Sequence, residues 1–266
     1  MENKVKKRIY AGKIFFIIVL CLVSLCVAYY STMVMKAPAK KFAELKAEYG
    51  PDSTKKKKLD ERMFSDSDYL SLLKEKAILQ SKLSMADADS VYFVINLADS
   101  TANLELCGVV VHQAKISSYV ASNIILKGDD NVILPMLASP FTIASDISTI
   151  KKEPLMIKIA PKDTSEYKPD ITPDTTIIEP VAYIMEMTNG VKIFVYEEEA
   201  SVSDKDRVVF KFDLKYKMDE AKRYFKSISH FEVPEYYPVI KIKIPRTDAK
   251  IIYRAIPKHG QIGIYR

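Results

Sequence analysis

The stretch Ile242–Arg266, IKIPRTDAKIIYRAIPKHGQIGIYR, decides how the chain is read. Apolar and charged residues alternate from Lys241 to Ile244, the period-two signature of a half-buried strand. Pro245 stops that strand, because proline has no donor for the ladder. Thr247 offers an N-cap to the next segment, and Asp248 puts negative charge on its first turn. Ile251, Ile252, Ala255 and Ile256 share one helical face, and Pro257 and Gly260 end the helix. Alternation returns from Gln261 to Tyr265, so the expected unit is strand, helix, strand.

Upstream, the composition turns to short strands from Ala86 onward. Val91–Leu97 (VYFVINL), Thr101–Leu106 (TANLEL) and Val109–Lys115 are separated by a polar turn at Asp99-Ser100 and by Gly108, the pattern of a β-meander. Ser117–Leu126 fits either a strand or a short helix. Leu155–Ala160, Val181–Met187, Val191–Tyr196 and Val208–Tyr216 read as strands, and the proline-rich stretch Pro161–Pro180 as an excursion. Asn189-Gly190 is the strongest hairpin turn. Glu197–Glu199 reads as a solvated strand end that blocks edge pairing. Met218–Ile228 reads as one amphipathic helix with Ala221, Tyr224, Phe225 and Ile228 facing inward. The fold class is mostly β, of the α+β kind.

The N-terminal third is different in kind. Residues 1–13 are basic, and Ile14–Met35 (IFFIIVLCLVSLCVAYYSTMVM) then runs without a charge. About 20 apolar residues span a bilayer, so the run is expected to be a single transmembrane helix. Tyr29 and Tyr30 would sit near its outer interface, and the basic N-terminal tail favours an inside N-terminus. Ala37-Pro38-Ala39 resembles a signal cleavage site, but it lies beyond the apolar core and carries a proline inside it. Cys21 and Cys26 each follow a leucine, where a lipoprotein signal wants a small residue. The expectation is an uncleaved signal-anchor. Residues 36–85 read as a charged helical stalk with a stop at Gly50-Pro51 and a second helix that Asp52-Ser53-Thr54 could cap ahead of Lys55–Lys58. Further on, Leu72, Leu79 and Ala86 are seven apart, with Tyr69, Lys76 and Leu83 on the neighbouring position. That helix is read first as packing on the following domain and second as a weak self-association seam. The expected layout is a tail at 1–13, a span at 14–35, a stalk at 36–85 and a β-rich extracytoplasmic domain at 86–266.

Composition excludes several chemistries. Seven glycines argue against phosphate-cradling loops, which need several close together. His112, His230 and His259 are scattered without ligand spacing, so no metal is expected, and no cofactor motif is present. The +6 charge is modest and partly N-terminal, and no nucleic-acid-binding motif accompanies it. Cys107 is the one cysteine outside the apolar run. It reads as a strand-end residue, with His112 near in sequence but not marked as its base.

The C-terminal stretch resembles the end of the catalytic domain of the L,D-transpeptidases (YkuD type). In that family a Ser-His-Gly-Cys motif leads into Ile-Arg-Leu/Met-Pro-Asn-x-Asp-Ala, a short helix with a Leu-Tyr pair, a glycine and a final strand. Ile242, Lys243, Ile244, Pro245, Asp248, Ala249, Ile252, Tyr253, Gly260 and Ile262 sit where the counterparts would be. The meander that opens the β-rich region also resembles the start of that domain. The family's His, Gly and Cys fall on Val239, Ile240 and Lys241, so the catalytic motif is absent. The resemblance implies a β-sandwich-like domain and a bacterial inner-membrane protein without catalytic residues. It would bind peptidoglycan or a wall-synthesis protein at the cell wall. The alternative is a periplasmic module of a secretion or division complex with no transpeptidase ancestry.

Overall fold

The computed structural model describes residues 2–50, 67–152, 179–198 and 203–266. The chain divides into two compact units, one formed by Met1–Glu44 with Tyr216–Tyr236, the other by Leu45–Lys215 with Tyr237–Arg266.

The first unit is helical. Helix α1 (Glu2–Tyr49) runs unbroken through the apolar stretch, and Ala37-Pro38-Ala39 lies inside it. Its part from Phe16 to Tyr49 is long and apolar enough to cross a membrane. The helix ends at Gly50, whose N–H donates to the Lys46 carbonyl. Beside α1 in this unit lies the segment from Tyr216 to Tyr236, which holds the C-terminal half of helix α5 (Ser203–Ser229).

The second unit is built on a nine-stranded mixed sheet. Its strands are β1 (Tyr92–Asn96), β2 (Thr101–Leu106), β3 (Val109–Lys115), β4 (Ser118–Ala121), β5 (Phe141–Ser148), β6 (Ala182–Met187), β7 (Lys192–Glu197), β8 (Val239–Ile244) and β9 (Gln261–Tyr265). They lie in the order β3-β2-β1-β9-β5-β6-β7-β8-β4. The pairs β1/β9 and β7/β8 are parallel, and the rest are antiparallel. The sheet cannot be flat. Its two ends, β3 and β4, are joined in sequence by Ile116 and Ser117 alone. Strands about 4.8 Å apart would put the ends of a flat nine-stranded sheet roughly 38 Å from each other. Lys115 and Ser118 are three peptide units apart and reach at most about 11 Å. The sheet therefore curls until its ends meet at this link, where Ser117 N–H donates to the Lys243 carbonyl of β8 and Ile116 N–H to the Ser100 carbonyl beside β2. β5 makes a second switch: Phe141 and Thr142 pair with β9, and the rest of the strand pairs with β6. The expected sandwich-like domain is thus one continuous hydrogen-bonded order curled on itself.

The curl buries the inner face of the central strands, while β3 and β4 at the ends of the order stay mostly exposed. Ile193, Val195, Ile240, Ile242 and Ile244 are almost fully buried, with Phe93, Ile95, Ala102 and Leu104 from the other end of the order. Helix α2 (Ser67–Ala86), expected in the stalk, belongs to this unit. It buries Ala77, Ile78, Ser81 and Met85, and Ile78 and Met85 cluster with Tyr92, Val94 and Tyr265. Gly263 in β9 faces this helix: a Cβ there would stand 2.7 Å from the Met85 methyl, which would have to shift. Two short helices, α3 (Asn123–Lys127) and α4 (Asp130–Leu137), follow β4, and α6 (Arg246–Ala255) joins β8 to β9.

Four local expectations change. Glu197, expected at a solvated strand end, pairs with Ile244 of β8, and its side chain, 8% exposed, meets Arg246. Val208–Tyr216 is helix, the first half of α5, not a strand. Its residues alternate at period two, but the less exposed positions are 209, 212, 213, 216, 220, 224, 227 and 228, a helical stripe. On that stripe Ile228 is buried as expected, whereas Ala221 and Phe225 are exposed. The N-cap of α6 is Pro245, two residues before Thr247; its fixed φ (−53°) and its lack of an N–H suit a helix entry. Ser117–Leu126 holds both elements considered for it, a strand and a short helix. The expected strand at 155–160, most of the excursion at 161–180 and the helix start at 55–58 lie outside the described residues.

Candidate functional site

Lys241, onto which the sequence resemblance would put a cysteine, lies in β8. Along β8 burial alternates: Ile240, Ile242 and Ile244 point into the curl, and Lys241 and Lys243 point out. Lys241 is paired in register with Phe194 of β7, and its ammonium lies 5.0 Å from the Phe194 ring centroid, a cation–π contact. Next to it on the same outer face is a buried cation. Lys192 is 2% exposed; its Nζ is 3.0 Å from Glu186 Oε1 and 4.1 Å from the Tyr237 ring centroid. Tyr196 completes the face and donates its hydroxyl to Asp213 Oδ1 of α5 at 2.9 Å.

Helix α6 ties the inner parts of the sheet together through long-range pairs. His112 Nε2 of β3 is 3.0 Å from Asp248 Oδ1 in the first turn of α6. Arg246 Nε donates to Glu197 Oε2 at 2.6 Å, and Glu197 Oε2 also accepts from Val181 N–H. Tyr253 donates to Asp146 Oδ2 at 2.8 Å, its ring 4.8 Å from that of Tyr183. Burial first, then the bond to Asp146, pushes the Tyr253 hydroxyl up to about 12. Tyr92 is also pushed up to about 12, by burial and then by the Glu105 charge.

Cys107 occupies the β2–β3 hairpin turn at φ 47° and is exposed. Its Sγ donates to Asp89 Oδ1 at 3.3 Å. That hydrogen bond, chiefly, raises the thiol above its usual range. A thiol held protonated is a poor nucleophile, since the thiolate is the reactive form. His112 is engaged with Asp248, and the structure does not bring it to Cys107. Among the described residues no group of three or more His, Cys, Asp or Glu could hold a metal ion.

A separate concavity of about 440 Å³ lies between the end of α1, α2 and α4, lined by Tyr49, Tyr69, Leu73, Lys76, Asp130 and Leu134 among others. Its volume is in the range of small-molecule sites. Asp130 is fixed by Arg266, whose guanidinium also reaches the Ile125 carbonyl.

Sequence reading assigned Asp248 to the helix dipole and to the resembled C-terminal pattern, and did not see its partner. The residues of the His112–Asp248, Arg246–Glu197 and Lys192–Glu186 pairs carry no motif; only the fold joins them. No family model matches the chain, and no curated protein or solved structure is significantly similar to it.

Proposed function

We propose that this chain is a membrane-anchored, catalytically inactive L,D-transpeptidase-like protein that binds or scaffolds at the bacterial cell wall. The observation that carries the reading is Lys241. It stands where the family's cysteine would be, on the outer face of β8 over Phe194, and an ammonium there cannot form a thioester. Around it the family's ending is kept as strand, proline, helix and strand, with Asp248, Ala249, Ile252 and Tyr253 in the helix. The remaining thiol, Cys107, sits on a hairpin with its proton held by Asp89. The apolar helix at the N-terminus would tether the second unit to the inner membrane on the wall side.

Full-length protein in bilayer discs, incubated with peptidoglycan tetrapeptide and with a carbapenem, is expected to give neither cross-linked product nor a covalent mass. The same protein is expected to co-sediment with purified sacculi. A carbapenem adduct that disappears in Cys107→Ala overturns the inactive reading, and failure to co-sediment overturns the wall-binding one.

A second reading, a module of an envelope assembly complex, has its own observation. Leu72, Leu79 and Leu83 of α2 are exposed on the side away from its buried residues, an apolar stripe of the kind that takes a helical partner. Photo-cross-linking from position 79 in intact cells separates the two: a protein partner there favours the assembly module.

A further inference from the structure

We propose that the C-terminal end of α5 and the turn after it insert into the lipid headgroup region beside the transmembrane helix, with Phe231 as the inserted side chain. This rests on the reading of Ile14–Met35 as a membrane span. Phe231 is 81% exposed and Phe225 69% exposed, the former among the most exposed large apolar side chains of the chain. Both belong to the same compact unit as the apolar part of α1. The rings of Phe231 and Tyr29 are 6.1 Å apart. Tyr29 lies seven residues before Lys36, the first charge after the span. Tyr29 belongs to the aromatic pair expected at the outer interface of the span, so a side chain against it lies at headgroup level whenever α1 spans a bilayer, and its exposed surface faces lipid.

The backbone gives a second reason. Phe231 N–H donates to the Ile228 carbonyl and Glu232 N–H to the Ser227 carbonyl, the two bonds of a Schellman helix end. Phe231 takes the left-handed position of that motif, at φ 61°. Glycine is the ordinary residue there, and a bulky side chain is strained in it. An aromatic group that is both strained and exposed is unfavourable in water. In the headgroup region the ring loses its exposure to water, which offsets the strain. The segment Tyr216–Tyr236 carries four basic residues (Lys217, Lys222, Arg223, Lys226) and four acidic ones (Asp219, Glu220, Glu232, Glu235). Apolar insertion and not charge drives the contact, so it does not depend on anionic lipid.

The chain has no tryptophan, so a single introduced indole reports its own depth. Full-length Phe231→Trp is reconstituted in phosphatidylcholine vesicles with chains brominated near the headgroup or near the chain end. Leu22→Trp marks the middle of the span and Val120→Trp, on an exposed edge strand, marks water. Phe231→Trp is expected to emit to the blue of Val120→Trp. It should lose most of its emission to the shallow bromines and resist aqueous iodide, with no change when phosphatidylglycerol is added. Phe225→Trp serves the same purpose should Phe231→Trp fail to fold. If Leu22→Trp is quenched by the deep bromines and the Phe231 probe behaves like Val120→Trp, the insertion is wrong and the anchor stands. If Leu22→Trp also behaves as water-exposed, the anchor reading fails and takes the insertion with it.

Discussion

Val109–Val111 in β3 and Ile193–Val195 in β7 are equally apolar runs of three, yet they have opposite fates. The first is 65%, 48% and 56% exposed; the second is buried throughout. β7 lies between β6 and β8, with the curl of the sheet over its inner face and α5 tied to its outer face through Asp213 and Tyr196. β3 ends the strand order. Its pairing with β2 skips a residue between His112 and Val110, a bulge that leaves Val111 without a cross-strand partner. Bulges of this kind twist an edge away from further pairing. Apolar content makes both runs strands; what the rest of the chain lays over them decides which becomes core.

The strongest test of that contrast is a pair of truncations. Ile193→Ala removes a fully enclosed side chain and should cost about 4 kcal/mol. Val110→Ala on the edge should cost less than about 0.5 kcal/mol. Denaturant midpoints of the full-length protein in detergent, followed by circular dichroism, compare them. Equal losses would mean that β3 is covered after all.

The buried cation of β7 gives the next effect. Glu186→Ala removes the carboxylate 3.0 Å from the enclosed Lys192 and should cost about 3 kcal/mol. Adding Lys192→Met to it should recover part of the loss, a non-additivity that a double-mutant cycle reads directly. Lys241, exposed on the same face over Phe194, provides the comparison: Lys241→Ala should lose no more than about 1 kcal/mol.

Smaller again is Tyr253→Phe, which removes the hydrogen bond to Asp146 and should cost about 1 kcal/mol. It also carries a pH signature. Tyr253 and Tyr92 are raised from 10.0 to about 12 in the fold, so the folded chain keeps these protons where the unfolded chain loses them. Their contribution is complete below pH 10 and is lost as the pH rises from 10 through 12. The melting temperature should be level up to pH 10 and then fall, less steeply in Tyr253→Phe. At the far end, Cys107→Ala should leave the melting curve and every cellular phenotype unchanged, since the thiol is exposed on a hairpin turn.

Much of the local structure was legible along the chain, and the reason is physical. The meander, the Asn189-Gly190 hairpin and the C-terminal strand-helix-strand follow from period-two alternation, turn residues and proline, all of which act within a few residues. Gly190 does take the left-handed φ that the turn asks of it. The helix through Ile14–Met35 and its end at Gly50 follow from composition alone. Local pattern failed at Val208–Tyr216, where alternation suggested a strand. A stripe at helical spacing, including Asp213 bonded to Tyr196, fits a helix instead. For α2 the expected packing on the following domain holds, with Ile78 and Met85 against Tyr92 and Val94, but the packed side is Ala77, Ile78, Ser81 and Met85 and not the seven-residue repeat of Leu72 and Leu79. Choosing between two apolar faces of one helix needs its neighbour, here β9 with Gly263 opposite Met85.

Taken by itself, then, the sequence determined most of the element types among the described residues, with Val208–Tyr216 the exception, and the membrane-length helix, because each depends on residues close together. The curl of the sheet was decided by the tertiary structure, since the two-residue link at Ile116-Ser117 constrains it only once the pairing of β3 with β2 and of β4 with β8 is known. The polar pairs were decided there too: His112 and Asp248 are 136 residues apart and meet only because the fold brings β3 beside α6, the helix that follows β8.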